Sequence, residues 1–205
     1  TPSTDAPPAP APAGLDYPAG SYGMCDAGNM ITPLSDNATT LKQKIDAMEL
    51  TGSTAGQIGV AWAWYLLSSN WGSLWPENIS RPQPYGTEDL VKVAVIMTDG
   101  EFNTAHCLGV QSKNYAVNGN ADKINCNATN GAPFTQAQAL CTAMRSQNII
   151  VYTVGFELAP NGAAATFMAN CATSPQHAYL ASGSEELREA FRQIATSITK
   201  LRIAR

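Results

Sequence analysis

The sequence predicts a doubly wound α/β domain with a mostly parallel sheet. Two short segments, residues 91–97 and 149–156, are apolar almost throughout and rich in β-branched residues. Segments whose apolar residues recur at helical spacing lie before, between and after them. Apolar strands that alternate with helices are typical of a parallel sheet covered on both faces. In such sheets, ligands bind beyond the carboxyl ends of the strands.

The remaining elements follow from local patterns along the chain. A short helix is predicted over residues 163–170 and a third strand over residues 177–181. The last helix begins with capping-box spacing from Ser182 to Glu185 and continues to about Leu201. The apolar positions of the first three predicted helices are Leu41, Ile45 and Met48; Ile58, Ala61, Trp62, Tyr65 and Leu66; and Phe134, Ala137, Leu140, Cys141 and Met144. Thr39 and Thr40 are the predicted starting residues of the first helix.

The composition limits the classes of function. The chain has 205 residues, of which 44% are hydrophobic, enough apolar material for one ordinary domain. Its formal net charge of −4 argues against a nucleic-acid binder that neutralises phosphates. The longest mostly apolar stretch, residues 58–67, is about half of the roughly 20 residues that a spanning helix needs. Five cysteines, an odd number, indicate an oxidising compartment.

Two segments depart from the alternation of helices and strands. Residues 1–20 are rich in proline and alanine, which favours an extended linker or loop, with a recognition ligand as the alternative. Residues 102–133 form a long asparagine-rich insertion that contains Cys107 and Cys126. A disulfide closing about 20 residues contributes roughly 3 kcal/mol in the chain-entropy model. We interpret this segment as a stapled surface insertion in a domain over residues 21–205.

Asp99 is the main candidate for a binding residue. It follows the carboxyl end of the predicted strand and precedes Gly100, so we expect it at the ligand-binding edge. A hard cation prefers such carboxylate oxygens, although Asp-Gly is also common in plain turns. The hydroxyls of residues 51–54, which include Ser53 and Thr54, are either ligands of the same cation or a helix N-cap.

Catalytic and zinc chemistry are weakly indicated. His106 with Cys107, Cys126 and Cys141 has neither C-x-x-C nor H-x-x-x-H spacing. A Cys–His nucleophile pair with His106 or His177 is an alternative to cysteines held in disulfides. The sequence contains no Walker loop and no G-x-G-x-x-G after a strand. We therefore predict that the protein is not an enzyme.

The tryptophans allow two interpretations. Trp62 lies on the apolar stripe of the second predicted helix and is expected in the core. Trp71 and Trp75 either form an exposed recognition patch or pack under the loop that follows them.

An ordered set of motifs resembles one family. Residues 93–101 (Val-Ala-Val-Ile-Met-Thr-Asp-Gly-Glu) look like the strand and metal loop of a von Willebrand factor type A domain. The whole set is most similar to TadG and TadE/TadG-like proteins of the Tad (Flp) pilus assembly system. The other matching segments are 58–64, 66–68, 75–76, 85–86, 140–141, 150–156, 170–172, and Leu187 through Phe191 to Leu201-Arg202.

The resemblance implies a Rossmann-like domain with a metal-ion-dependent adhesion site. In that site three loops supply oxygens to Mg²⁺, or to Mn²⁺ or Ca²⁺, and an acidic group of the partner completes the shell. Thr54 matches the second loop and Asp99 the third, with Ser53 and Glu101 beside them as partner-binding residues. The first loop, Asp-x-Ser-x-Ser, is absent from these 205 residues. We therefore expect a sheet without the family's N-terminal strand or strands and an incomplete set of metal ligands.

The family also implies a location and partners. We expect a non-enzymatic interaction or adhesion module of a bacterial Tad-type pilus assembly protein, outside the cytoplasm and anchored in the cell envelope through an upstream segment. Its partners are then other pilus assembly or surface proteins. The resemblance pairs Cys141 with Cys171, leaves Cys107 with Cys126, and gives Cys25 a partner upstream. The alternatives are a secreted von Willebrand factor A-like adhesin without a pilus role and a secreted hydrolase.

Overall fold

The computed structural model describes residues 4–6, 30–48, 53–75, 80–107, 110–115 and 126–203. Most of residues 1–20, expected to be a linker, and Cys25 lie outside the described residues. The helices are α1 (Ala38–Asp46), α2 (Gly56–Leu67), α3 (Pro133–Ser146), α4 (Ala163–Cys171) and α5 (Ser184–Ile203). The strands are β1 (Val93–Thr98), β2 (His106–Cys107), β3 (Val110–Gln111), β4 (Ile150–Phe156) and β5 (Ala178–Ala181). Two 3₁₀ helices span Ser69–Leu74 and Pro175–His177.

A three-stranded parallel sheet forms the centre of the molecule. Its order is β1-β4-β5, so β1 forms one edge within the described residues. Val93 pairs with Ile150 and Thr98 with Gly155, so β1 and β4 end side by side. This confirms the mixed α/β class and the parallel sheet. The antiparallel pair β2–β3 lies in the predicted insertion, where the sequence analysis expected no strand.

Helices pack on both faces of the sheet, but the face under α5 is covered only in part. Val95 and Met97 of β1 are 38% and 46% exposed, so the expectation of a sheet covered throughout on both faces is wrong for β1. Alternate residues of a strand point to opposite faces, and β4 divides accordingly, with Val151 in one core and Tyr152 and Val154 in the other. The larger core joins the sheet to α2, α3 and α4, and α5 supplies Ala190 and Ile194 to the smaller core. The principal buried residues of the larger core are Val60, Trp64, Ala94, Ile96, Phe102, Leu140, Met144, Val151, Phe167 and Met168.

The predicted inward face of α2 is wrong. Trp64 is 2% exposed and Val60 is buried beside it, whereas Ile58 is 41% exposed and Trp62 is only half-buried. Residues 58–67 are apolar on nearly every side of the helix, so periodicity could not select one face. The packing of α2 against α3 and β1 makes that selection.

The predicted starts of α1 and α5 also differ from the structure. Asn37, not Thr39 or Thr40, caps α1 by accepting a hydrogen bond from the Thr40 N–H. The predicted apolar stripe of α1 is not buried, because Ile45 is 62% exposed and Met48 lies beyond the end of the helix.

The cap of α5 is shifted by one residue. Glu186, rather than Glu185, accepts from both the N–H and the hydroxyl of Ser182. These hydrogen bonds lower the pKa of Glu186. Glu185 instead pairs with Arg188 on the helix surface.

Two disulfides lie within the described residues. Cys141–Cys171 joins α3 to α4, and Cys107–Cys126 closes the insertion, which confirms both predicted pairs. Intramolecular disulfides indicate an oxidising, extracytoplasmic environment. Among the described residues, no helix is both long and apolar enough to cross a membrane.

Candidate functional site

Asp99 lies at the carboxyl edge of the sheet, directly after β1. The turn that follows β1 is closed by Thr98, whose hydroxyl donates to the Gly100 carbonyl at 3.1 Å and lies 3.3 Å from the Gly100 nitrogen. Asp99 is exposed, and within the described part of the chain its carboxylate makes no hydrogen bond or ion pair. The turn therefore does not use the Asp99 carboxylate, which is available to a ligand.

The loop before α2 is held against the segment that follows Asp99. The Thr54 N–H donates to Asn103 Oδ1 at 3.0 Å, and the Asn103 and Thr104 N–H groups donate to the Thr54 carbonyl at 3.0 and 3.2 Å. These hydrogen bonds occupy backbone and amide groups and leave the Thr54 side chain exposed. Thr54 does not cap α2 through its side chain, because Ala55 is the N-cap residue and makes no side-chain cap.

Gly56 allows this close approach. A Cβ atom at position 56 would lie 2.1 Å from Cε1 of Phe102, far inside van der Waals contact. The Phe102 ring is 6% exposed and stacks on Phe134 at 4.7 Å between centroids, with Phe167 at 5.1 Å. The ring therefore has little room to move. This role of Gly56 was not predicted from the sequence. The available signal was a glycine in the first turn of a helix.

Ser53 and Glu101 occupy the flanks of the same edge. Ser53 is exposed, and its hydroxyl lies 3.5 Å from Nε2 of Gln111. Glu101 Oε1 accepts from the Ala164 N–H at 3.3 Å, in the first turn of α4. A carboxylate at this position also interacts favourably with the helix dipole. One oxygen of the expected partner-binding residue Glu101 is thus engaged by the protein itself.

The donor chemistry of this edge suits a hard cation only in part. Asp99 supplies a carboxylate and Thr54 a hydroxyl, which are ligand types that Mg²⁺ accepts when it keeps several waters. Within the described residues, no group of three or more His, Cys, Asp or Glu side chains converges to hold a metal ion. Mg²⁺ takes about six oxygen ligands, so Asp99 and Thr54 supply only part of such a shell.

The cysteines that were candidates for catalysis or zinc binding are oxidised in this structure. Cys107, Cys126 and Cys141 are all in disulfides, so none offers a thiolate to a metal or a substrate. His106 is half-buried, and burial lowers the pKa of its imidazole.

Ser174 and His177 make a contact that resembles a nucleophile and a base. Their Oγ and Nδ1 atoms are 2.6 Å apart, and His177 packs edge-on against Tyr152 at 4.6 Å. Ser174 precedes the Pro175–His177 turn and also contacts the Gln176 side chain. Among the described residues no acid contacts His177, and Ser174 makes no side-chain cap to the turn, so the pair is a local side-chain contact.

A second polar cluster surrounds Asp5 at the other end of α2. Asp5 Oδ2 accepts from Ser68 Oγ at 2.5 Å, Tyr85 OH at 2.7 Å and Asn70 Nδ2 at 3.1 Å. Trp64 Nε1 in turn donates to the Tyr85 oxygen at 2.9 Å. No local motif in the sequence predicts this cluster. The partners are 63 to 80 positions apart from Asp5, so no local pattern links them.

Aromatic rings pack next to this cluster. Tyr65 and Trp71 are stacked with centroids 3.8 Å apart, and Trp62 meets Trp71 edge-on at 5.5 Å. Trp75 is 8% exposed. Trp75 is therefore packed rather than presented as an exposed patch, and Trp71 is partly buried on the same side.

The two polar clusters lie at opposite ends of α2 and have different chemistry. The Asp99 edge offers exposed oxygens, and the Asp5 cluster offers hydrogen-bond donors that converge on a carboxylate.

No protein-family model, curated protein or solved structure matches the chain. Function is therefore inferred from the residues and their geometry.

Proposed function

We propose that this chain is a non-enzymatic interaction module with a von Willebrand factor A-like architecture, part of a bacterial Tad-type (Flp) pilus assembly protein of the TadG kind. The observation that carries the proposal is the set of hydrogen bonds between Thr54 and residues 103–104. These bonds hold the loops that bear the Thr54 hydroxyl and the Asp99 carboxylate at one edge of a parallel sheet. Ligands bind at this edge in open α/β sheets.

Three further features support the proposal. The parallel order β1-β4-β5 with helices on both faces is compatible with a Rossmann-like domain. The motifs that resemble the family occur in order along the chain. The disulfides Cys107–Cys126 and Cys141–Cys171 fit a protein that acts outside the cytoplasm, and we propose that it is held in the cell envelope through an upstream anchor.

The proposed binding mode uses exposed oxygens. Mg²⁺, or Mn²⁺ or Ca²⁺, would be held by the Asp99 carboxylate and the Thr54 hydroxyl, with water in the remaining positions. Such an ion would supply a positive charge that attracts an acidic side chain of a pilus assembly or surface protein. Ser53 lies beside Thr54 and can contact the partner directly. Glu101 can do so through its second oxygen while the first stays on α4.

Isothermal titration calorimetry tests the metal part of the proposal. We expect Mg²⁺, Mn²⁺ or Ca²⁺ to bind in the roughly millimolar range expected of a weak site with one carboxylate. Asp99→Ala should abolish the binding. Asp46→Ala, which removes an exposed acid at the end of α1, is the matched control and should leave it unchanged. Equal binding by the Asp99→Ala variant would exclude this site.

The genomic surroundings distinguish the pilus assignment from a free-standing adhesin of the same fold. A secretion ATPase and a small pilin encoded nearby are expected for a Tad-type system. Their absence from the neighbourhood would favour the adhesin without a pilus role.

A further inference from the structure

We propose a second binding site at the amino-terminal edge of the sheet, a receptor for a carboxylate carried on an extended, proline-flanked peptide. In this structure its ligand is the chain's own Asp5. The site is formed by Ser68, Asn70 and Tyr85, with Lys92 beside them. It goes beyond the proposed function, because it shares no residue with the Asp99 edge.

The three donors converge on a single oxygen. Ser68 Oγ, Tyr85 OH and Asn70 Nδ2 all point to Asp5 Oδ2, at 2.5, 2.7 and 3.1 Å. Ser68 is 0% exposed, so the rest of the fold fixes its position and its hydroxyl is not spread over surface rotamers. Hydrogen bonds to an ionised group are about twice as strong as those between neutral groups. The arrangement is therefore specific for an anion.

The Tyr85 hydroxyl is oriented by a second bond. Trp64 Nε1 can only donate, and it does so to the Tyr85 oxygen, so the phenol proton is directed to Asp5. Trp64 is itself buried in the larger core. Burial, with a contribution from the bond to Asp5, raises the pKa of Tyr85 to about 12. Tyr85 consequently remains a donor throughout the neutral pH range.

Lys92 supplies positive charge to the site. Its ammonium group donates to the Leu67 and Gln83 carbonyls and lies 4.9 Å from the centroid of the Tyr85 ring. Burial lowers the pKa of Lys92, and the charge of Asp5 acts in the opposite direction. A carboxylate in the site thus favours the charged form of the half-buried lysine, and the lysine in turn favours an anionic ligand.

Aromatic rings provide the surface on which a proline-flanked peptide can lie. Tyr65 and Trp71 are stacked next to the cluster, and the charge of Asp5 is close enough to Tyr65 to raise its pKa after the larger effect of burial. Asp5 is followed in the sequence by Ala6, Pro7 and Pro8. Proline-rich segments prefer the extended polyproline II conformation and bind grooves lined by aromatic rings.

A peptide added in trans tests the receptor. We expect the full chain with Asp5→Ala to bind a synthetic peptide of residues 1–10. Tryptophan fluorescence and calorimetry measure this binding. The same peptide with Asp5→Asn should bind about tenfold more weakly, because its amide replaces a charged acceptor. Adding Tyr85→Phe to the Asp5→Ala chain should weaken binding of the natural peptide by a similar factor. The unmodified chain should bind less, because its own Asp5 competes at a high effective concentration.

Other outcomes would overturn the proposal. Equal affinity for the two peptides would mean that the carboxylate is not recognised. Failure of a folded Asp5→Ala chain, checked by near-ultraviolet circular dichroism, to bind the natural peptide would mean that there is no receptor. Asp99→Ala serves as the control, and it should leave peptide binding unchanged even if it abolishes metal binding.

The ionisation of Tyr85 gives a readout that does not depend on the peptide. Asp5→Asn removes an anion whose hydrogen bond and charge both raise the pKa of Tyr85. Phenolate absorbance should therefore show Tyr85, and to a smaller extent Tyr65, ionising at lower pH in the variant. Tyr85→Phe, which removes the Tyr85 transition, assigns it. An unchanged midpoint would contradict the contact on which the proposal depends.

Discussion

The two ends of the α2–β1 pair differ in almost every property that matters for binding. Helix α2 has 12 residues and is therefore about 18 Å long, and it runs antiparallel to β1. At its start, Thr54 is held to residues 103–104, and the exposed groups are oxygens. At its end, Ser68 is buried, and Lys92 and Tyr85 surround an acid.

One helix–strand pair can therefore carry two sites, one that prefers cations and one that prefers anions. The start of α2 and the end of β1 can bind a cation or donors, because acids and hydroxyls are exposed there. The other end binds an anion, because its donors are fixed and partly desolvated, where electrostatic interactions are stronger. The three predictions that follow change one end at a time and are ordered by expected effect.

The largest effect is expected at Trp64. Trp64→Ala removes a buried ring and the donor that orients Tyr85, and we expect the free energy of unfolding to fall by about 3–5 kcal/mol. Trp62→Ala is the matched control on the same helix. Its half-buried ring has edge contacts with Tyr65 and Trp71, and we expect a loss of about 1–2 kcal/mol. Urea denaturation measures both free energies of unfolding. A larger loss for Trp62→Ala than for Trp64→Ala would mean that Trp62, and not Trp64, lies on the buried face of α2.

Smaller effects, opposite in sign to each other, are expected from alanine substitutions of two glycines near the start of α2. Gly56→Ala places a methyl group against the Phe102 ring and should cost about 1–3 kcal/mol through overpacking. Gly59→Ala meets no atom within 4 Å and should stabilise the protein by about 0.5–1 kcal/mol, because alanine favours helix. Thermal unfolding of the two variants gives the comparison. Similar stabilisation by both would show that Gly56 is not required for the contact between α2 and Phe102.

The smallest expected effect is a difference in stability between variants of the two acids at the Asp99 edge, Glu101 and Asp99. Glu101→Gln weakens the interaction with the first turn of α4, and we expect a loss of about 0.5 kcal/mol in the free energy of unfolding. Asp99→Asn should leave stability unchanged, because its carboxylate contacts nothing in the described part of the chain. Denaturant titration at low salt measures both. A measurable loss for Asp99→Asn would assign that residue a structural role.

Strands and helices with strong local patterns were predicted closely. The strand predicted over residues 149–156 is Ile150–Phe156, and the helix predicted over residues 163–170 is Ala163–Cys171. Apolar residues on α3 were also identified correctly, since Ala137, Leu140 and Met144 are all buried. In α3 and α4 the apolar positions define one buried side, and in β4 both sides are apolar and both are buried, so local sequence and tertiary packing agree.

Predictions failed where the local pattern permitted more than one arrangement. Helix α2 has apolar residues on most sides, and the choice of Trp64 over Trp62 depends on its neighbours α3 and β1. The apolar residues of α1 have helical spacing, but in the described part of the chain none of them is buried, and Ile45 is exposed. At the candidate site, the positions of Asp99 and Thr54 at a sheet edge could be predicted. The engagement of Glu101 by α4 could not, because the two are distant in sequence.

The local sequence predicts the class of fold and the edge at which Asp99 lies. Strands that are apolar on both faces favour a sheet with helices on both sides, and strand direction then gives the edge. The contacts of Asp5 with Ser68 and Tyr85, and the need for a small residue at position 56, arise only in the folded structure. Both depend on contacts between residues far apart in the chain, which exist only after the helices have packed onto the sheet.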